Sequence, residues 1–160
     1  MTSIKAFPRY TINETSEIYD TLKKRVIKQC NSYGYKIVSL TNEAGDRKYP
    51  RIHRLLFEAF VLKDGETMPT EIDHIDLNRA NNQIANLRAA TSQENKRNQQ
   101  KRKNNSSGYK NITITKYGNF EVQIWISKDD RYSKTFKILQ EAIDYAIRMR
   151  DQHFGEFAKH

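Results

Sequence analysis

The stretch "EIDHIDLNRANNQIANL", residues 71–87, sets one Asp-His pair beside four asparagines in a chain whose other polarity is largely lysine and arginine. Neighbours in a strand point to opposite faces, so a strand here would present Asp73 and His74 in different directions. Asn78, Asn81 and Asn82 follow as the residues of a tight loop, where carboxamides bond nearby backbone. An ordinary loop needs no such collection of carboxamides around one histidine.

Working outward, the chain on the C-terminal side reads "RAATSQENKRNQQKRK". Thr91 or Ser92 serves as N-cap with Glu94 close behind, so a helix begins here and carries Asn95. On the N-terminal side, "RIHRLLFEAFV" is a short amphipathic helix with Leu55, Leu56, Ala59 and Phe60 on its buried face. His53 lies beside that face and reads as a packed histidine, not a ligand. "NEAGDRK" turns a hairpin around Gly45. From Tyr10 to Leu40 helical spacing at Ile18, Leu22 and Val26 competes with the β-rich "RVIKQ" and "GYKIVSL", and short strands are expected.

Beyond the central helix, "NNSSG" at 104–108 has the composition of a linker. "YKNITIT", "NFEVQIWIS" and "RYSKTFK" then read as three strands with turns at "KYGN" and "KDDR". "LQEAIDYAIRMRDQHFGEF" closes the chain as a helix with Leu139, Ala142, Ile143, Ala146 and Ile147 in one stripe. Alternation directs Ile112, Ile114, Phe120, Val122, Ile124, Ile126, Tyr132 and Phe136 toward that helix. Asn111, Thr113, Glu121, Gln123, Trp125, Arg131, Ser133 and Thr135 fall on the opposite face. The expected fold is α+β: a β-rich region over 1–68, a segment over 69–103 that carries the Asp-His-Asn cluster into a helix, and a three-stranded antiparallel sheet on one helix over 104–160.

Composition narrows the partner. The 160 residues carry 28 Lys+Arg against 19 Asp+Glu, a formal +9, which favours a polyanion. Residues 93–110 hold six of those cations, Lys96, Arg97, Lys101, Arg102, Lys103 and Lys110, against the single acid Glu94. No apolar run is long enough to span a bilayer and "MTSIKAFPRY" lacks a signal-peptide core, so a cytoplasmic, intracellular protein is expected, with no membrane partner. Cys30 is the only cysteine, which excludes an internal disulfide and a zinc site built on paired cysteines. His153 and His160 sit at the tail and are scattered from the others. Any metal here is held through oxygen.

The segment "DHIDLNRANNQIANLRAATSQENKRN" resembles the HNH nuclease family in residue type and spacing. That family's site is a β-hairpin and a helix gripping one divalent metal, so the likeness implies a ββα motif over 69–103. The resemblance implies His74 as the base that deprotonates water, Asp73 and Asn95 as ligands of Mg²⁺ or another divalent cation such as Mn²⁺, and Asn86 as a brace for the hairpin loop. A histidine with an ordinary pKa near about 6.5 suits a base at neutral pH. A hard cation neutralises charge on the phosphate and the leaving oxygen. Glu71, Asp76 and Glu94 read as structural. "NSYGYKIVSLTNEAGDRKYPRIHRLLFEAF" resembles the segment preceding the nuclease motif in phage and intron-encoded homing enzymes, which makes the N-terminal region a β-rich support for the hairpin.

The C-terminal "SGYKNITITKYGNFEVQIWI" and "EAIDYAIRMRDQHFGEFA" resemble the DNA-binding domain of plant ethylene-response factors, which lay the sheet in the major groove. That resemblance implies Gln123, Trp125 and Arg131 as base-reading residues, while the 93–110 cluster tracks phosphates. Trp125 packed on the rest of the chain is the plainer reading. Together these imply a metal-dependent, site-preferring endonuclease of double-stranded DNA, acting as a monomer or weak dimer and nicking as a monomer. In a host infected by a phage it would work in the host cytoplasm. The competing reading is a catalytically inactive DNA-binding regulator, and RNA binding lacks an aromatic single-strand platform.

Overall fold

The computed structural model describes residues 1–101 and 103–159; Arg102 and His160 lie outside the described residues. The chain forms two compact units, Met1–Ser92 and Gln93–His160. Its mixed α+β architecture has the expected order of a β-rich N-terminus, a hairpin and helix, then a three-stranded antiparallel sheet and a C-terminal helix. Among the described residues no helix is long and apolar enough to cross a membrane.

The first unit opens with an antiparallel sheet of β1 (Thr2–Ile4), β2 (Phe7–Ile12), β3 (Ile18–Asp20) and β4 (Arg25–Val26). In this region strand periodicity prevails over the helical spacing of Ile18, Leu22 and Val26. The reason is burial: Ile12 and Ile18 face the core, whereas Leu22 and Val26 are exposed. Asp20 is buried and takes Arg9 Nε at 2.8 Å together with the N–H groups of Leu22 and Lys23. The hydrogen bond from Arg9 outweighs burial and holds this carboxyl at about 2.

Two hairpins follow. β5 (Gln29–Ser32) pairs with β6 (Tyr35–Val38), and β7 (Leu40–Thr41) with β8 (Arg47–Lys48). The first turns through Tyr33 and Gly34, both with positive φ (49° and 83°), the conformation of the tightest hairpin turns. The second turns at Gly45, whose φ is 85°. Next, α1 (Ile52–Leu56) runs directly into a wider π-type turn, Phe57–Val61. Ile52, Leu55, Leu56 and Phe57 are buried, while Ala59 and Phe60 are half-buried at the edge of the same core.

β9 (Glu71–His74) and β10 (Leu87–Ala90) make the two-stranded ribbon, with a 3-10 turn at Ile84–Asn86 leading into β10. Ile72 and Leu87 enter the core made by Ile12, Ile18, Val38, Leu40 and Leu56. The ribbon is therefore bolted to the N-terminal region through apolar contact, which fixes the direction of its other residues. α2 spans Ser92–Arg97, and the division between the units falls within it.

The second unit contains β11 (Ile112–Ile114), β12 (Phe120–Trp125), β13 (Arg131–Phe136) and α3 (Leu139–Phe154), closed by a 3-10 turn at Gly155–Phe157. Ile112, Val122 and Ile124 pack on Ala142, Ala146 and Met149. Ile114 and Tyr132, whose alternation directs them to the helix, stay partly exposed, although the Tyr132 ring lies 5.0 Å from that of His153 on α3. Residues 104–108 are not a free linker. Asn105 Oδ1 accepts from Gly108 N–H, and Ser107 Oγ donates to the carbonyl of Ile112 at 2.7 Å, so the segment folds back on the entry to β11.

Candidate active site

Strand pairing sets the site. His74 lies opposite Leu87 and Asp73 opposite Arg88, so adjacent residues of β9 meet different partners on β10. Arg88 donates from both Nε (2.9 Å) and Nη2 (2.8 Å) to Oδ2 of Asp73. Both side chains are largely buried, which makes this a charge-assisted pair in a site of low polarity.

On the other side, His74 Nε2 lies 3.1 Å from Oδ1 of Asn82. A carboxamide oxygen can only accept, so Nε2 carries the proton and the lone pair lies on Nδ1. His53 meets the His74 ring edge-on, with centroids 5.0 Å apart, and Tyr35 tilts against both at 5.2 and 6.1 Å. His53 is the packed residue its sequence setting suggests. Burial above all, and then the charges of His74, Arg51 and Arg54, push its pKa down to about 3. A neutral His53 places no cationic imidazole against the edge of the His74 ring.

The loop between the strands is held by its own side chains. Asn86 Nδ2 donates to Asp76 Oδ1 (2.9 Å) and to the carbonyl of Asn81 (2.9 Å), and Asn86 Oδ1 accepts the Asp76 N–H at 3.0 Å. Burial would raise the Asp76 carboxyl, but hydrogen bonds from Asn81, Asn86 and the Asn78 N–H, with the charge of His74, carry it below the ordinary range. Leu77, with φ at 68°, donates its N–H to the His74 carbonyl, tying the strained turn to the strand end.

The remaining site residues lie in the second unit. Asn95 is on α2. Arg97 turns inward, donating Nη2 to the Ile126 carbonyl at 2.8 Å and stacking over Phe154. Lys110 is drawn to the Gln99 carbonyl at 2.6 Å, and burial, then Arg150 and Lys159, lower its pKa to about 8. Lys101 reaches the Gly108 carbonyl, and Lys96 and Lys103 lie on the same segment. Gln123 and Trp125 stand on β12. Trp125 is 52% exposed, with the Arg131 guanidinium 5.1 Å from its ring. Arg102 falls outside the described residues.

A divalent cation would have to be held by a small donor set, because among the described residues no three of His, Cys, Asp or Glu form a cluster fit for a metal. Asp73 carries carboxylate oxygens and Asn95 an amide oxygen, donor types that each suit a hard cation. In the sequence alone Arg88 goes unmarked and Asn82 counts as a loop-shaper. A basic residue opposite Asp73 in a two-stranded register is the available signal for Arg88; none distinguishes Asn82 from its neighbours.

Residues 51–97 match the family model described as HNH endonuclease. Two proteins of Acanthamoeba polyphaga mimivirus, each described as an uncharacterized HNH endonuclease, align with the chain. One is 28% identical over 81 residues, covering 51% of this chain and 20% of its own length. The other is 30% identical over 110 residues, covering 68% and 55%. The structure of the HNH homing endonuclease I-HmuI, solved for its DNA binding and cleavage, is similar over 61% of this chain and 55% of its own, with a TM-score of 0.53 and 30% identity. The chain thus spans from a fifth to about half of the length of these relatives. Asp73, His74, Asn86 and Asn95 all fall inside the segment, residues 51–97, that is similar to the HNH endonuclease family.

Proposed function

We propose that the protein is a metal-dependent endonuclease that hydrolyses phosphodiester bonds in double-stranded DNA, site-preferring in the manner of homing enzymes and nicking one strand as a monomer. The observation that carries this is the His74–Asn82 contact inside the HNH segment, which leaves Nδ1 of a buried histidine as the proton acceptor. His74 takes the proton of the attacking water at Nδ1. Asn86 keeps the loop behind it closed, and Asp73 and Asn95 would hold the cation. That cation, Mg²⁺ or Mn²⁺, would neutralise charge on the phosphate and the departing oxygen.

DNA is held by the second unit in this reading. Lys96, Lys101, Arg102 and Lys103 track phosphates, with Arg97 and Lys110 ordering the segment as well as adding charge. Gln123, Trp125 and Arg131, on a sheet face like that of the ethylene-response-factor domain, read bases. The protein works inside the cell, where its target DNA is.

The deciding experiment incubates supercoiled plasmid with the full chain and Mg²⁺, with and without a chelator, beside His74→Ala. Chelator-sensitive conversion to the open circle, abolished in His74→Ala while DNA binding persists, is the expected result. No conversion by the wild type under any divalent cation would leave a DNA-binding protein without nuclease activity.

A further inference from the structure

Three basic and aromatic side chains of the first unit gather beside the histidine pair. The Tyr35 ring carries the Arg51 guanidinium 4.3 Å and the Arg79 guanidinium 4.9 Å from its centroid. The same ring lies 6.1 Å from His74. Arg51 precedes α1, Arg79 belongs to the loop between β9 and β10, and Tyr35 starts β6, so three separate elements converge here. The Arg79 stem is further held by the hairpin turn: a Cβ on Gly34 would lie 3.7 Å from its Cδ, and Nη1 reaches toward the Tyr33 carbonyl at 3.5 Å.

Both arginines are exposed, and among the described residues neither forms an ion pair with a carboxylate, unlike Arg9 with Asp20, Lys48 with Asp46 and Arg88 with Asp73. Two guanidiniums on one ring repel each other, and folding keeps them there without a counter-charge. A planar cation held against an aromatic face keeps its N–H fork outward, ready for phosphate oxygens.

Resting on the nuclease reading above, we propose that Arg51 and Arg79, held by Tyr35, clamp two backbone phosphates of the DNA strand presented to His74. Each arginine neutralises one phosphate, and Tyr35 sets where they sit relative to the base. The clamp is a positioning device and makes no sequence-specific contact. It gives the β-rich N-terminal region a part in the reaction, since Tyr35 and the turn that seats Arg79 belong to it.

The test measures binding of a short labelled duplex across a salt series in the His74→Ala background, and nicking of supercoiled plasmid in the active background. Arg51→Gln with Arg79→Gln should make the plot of log affinity against log salt shallower by about 1.8, roughly 0.9 for each phosphate no longer neutralised. Nicking should fall at least about tenfold, the scale of one charge-assisted hydrogen bond. Tyr35→Leu keeps both charges, so its salt slope should stay near wild type while its rate at saturating DNA falls. If the double variant does not fold, Arg79→Gln alone, in an exposed loop, should show about half the change in slope. Unchanged slope and unchanged nicking in the arginine variants overturn the clamp, and Tyr35→Leu at the wild-type rate overturns the role of the ring. A wild type that never nicks, but whose salt slope still depends on Arg51 and Arg79, would sink the nuclease reading and leave the phosphate contacts standing.

Discussion

His74 meets a carboxamide, not a carboxylate: its Nε2 stands 3.1 Å from Oδ1 of Asn82, eight residues further along the chain and buried with it. The contact fixes the ring and its tautomer without adding a negative charge beside the imidazole. Asn82→Ala should therefore lower the nicking rate at saturating DNA by about one order of magnitude while leaving DNA affinity unchanged. Asn82→Asp restores an acceptor for Nε2 and should recover part of the rate. Single-turnover nicking with both variants decides this, and Asn82→Ala at the wild-type rate would remove the contact from the mechanism.

The buried cross-strand pair of Arg88 and Asp73 makes a stability prediction. Arg88→Gln withdraws the cation that pairs with a carboxylate 3% exposed, at a cost on the order of 3 kcal/mol. Adding Asp73→Asn should return part of that stability, and urea melts of the two single variants and the double variant measure the coupling. The guanidinium also competes with any cation for the same carboxylate. In plasmid nicking, Arg88→Gln should therefore need less Mg²⁺ than the wild type. A higher requirement would show that Arg88 shapes the carboxylate for the metal.

His53 predicts how folding stability changes with pH. Its ordinary value is 6.5, and in the folded chain it is pushed to about 3 by burial first and neighbouring charge second. Between those values the unfolded chain binds a proton that the folded chain refuses. Its contribution is therefore fully present above pH 6.5 and is lost as the pH falls toward 3, with a slope of up to about 1.4 kcal/mol per pH unit. Urea midpoints between about pH 5 and pH 7, above most carboxylate titrations, should fall with pH in the wild type and fall less in His53→Asn. Equal slopes in the two proteins would mean that His53 titrates normally.

Much of the fold is legible in the sequence because each element answers to one local pattern. Ile112, Val122 and Ile124 alternate with polar residues and are buried; Ala142 and Ala146 recur at helical spacing and meet them. The candidate site is legible only as residue types at a spacing. Asn78, Asn81 and Asn82 look alike in the chain, yet it is Asn82 that reaches His74, because the choice depends on how the loop closes around Asp76 and Asn86. Arg88 becomes visible through strand register. The clustering of Arg51 and Arg79 on Tyr35 depends on three elements meeting in space, which no local pattern encodes. The stretch at 104–108 misleads for a related reason: its asparagine and serine side chains replace water as partners of the backbone at Tyr109 and Ile112.

The last prediction concerns Trp125 and Arg131, directly opposite each other on β12 and β13, with the guanidinium 5.1 Å from the indole ring. An indole that is 52% exposed adds little to the core formed by Val122, Ile124 and α3, so removing it should leave the module folded. If this face enters a groove, the stacked pair presents an apolar surface and a fork of donors to base edges, and such contacts carry sequence preference. Trp125→Ala with Arg131→Ala should then lose the favoured nicking position and tight binding to it. Affinity for random duplex should fall by only about one phosphate's share. Asp73, His74 and the loop that braces them belong to the other unit, so nicking itself should persist at high enzyme and Mg²⁺ concentration. Mapping nicks along a long duplex reads both effects at once. A site pattern identical to that of the wild type would assign specificity to the first unit and leave Trp125 and Arg131 as an exposed stacked pair without a reading role.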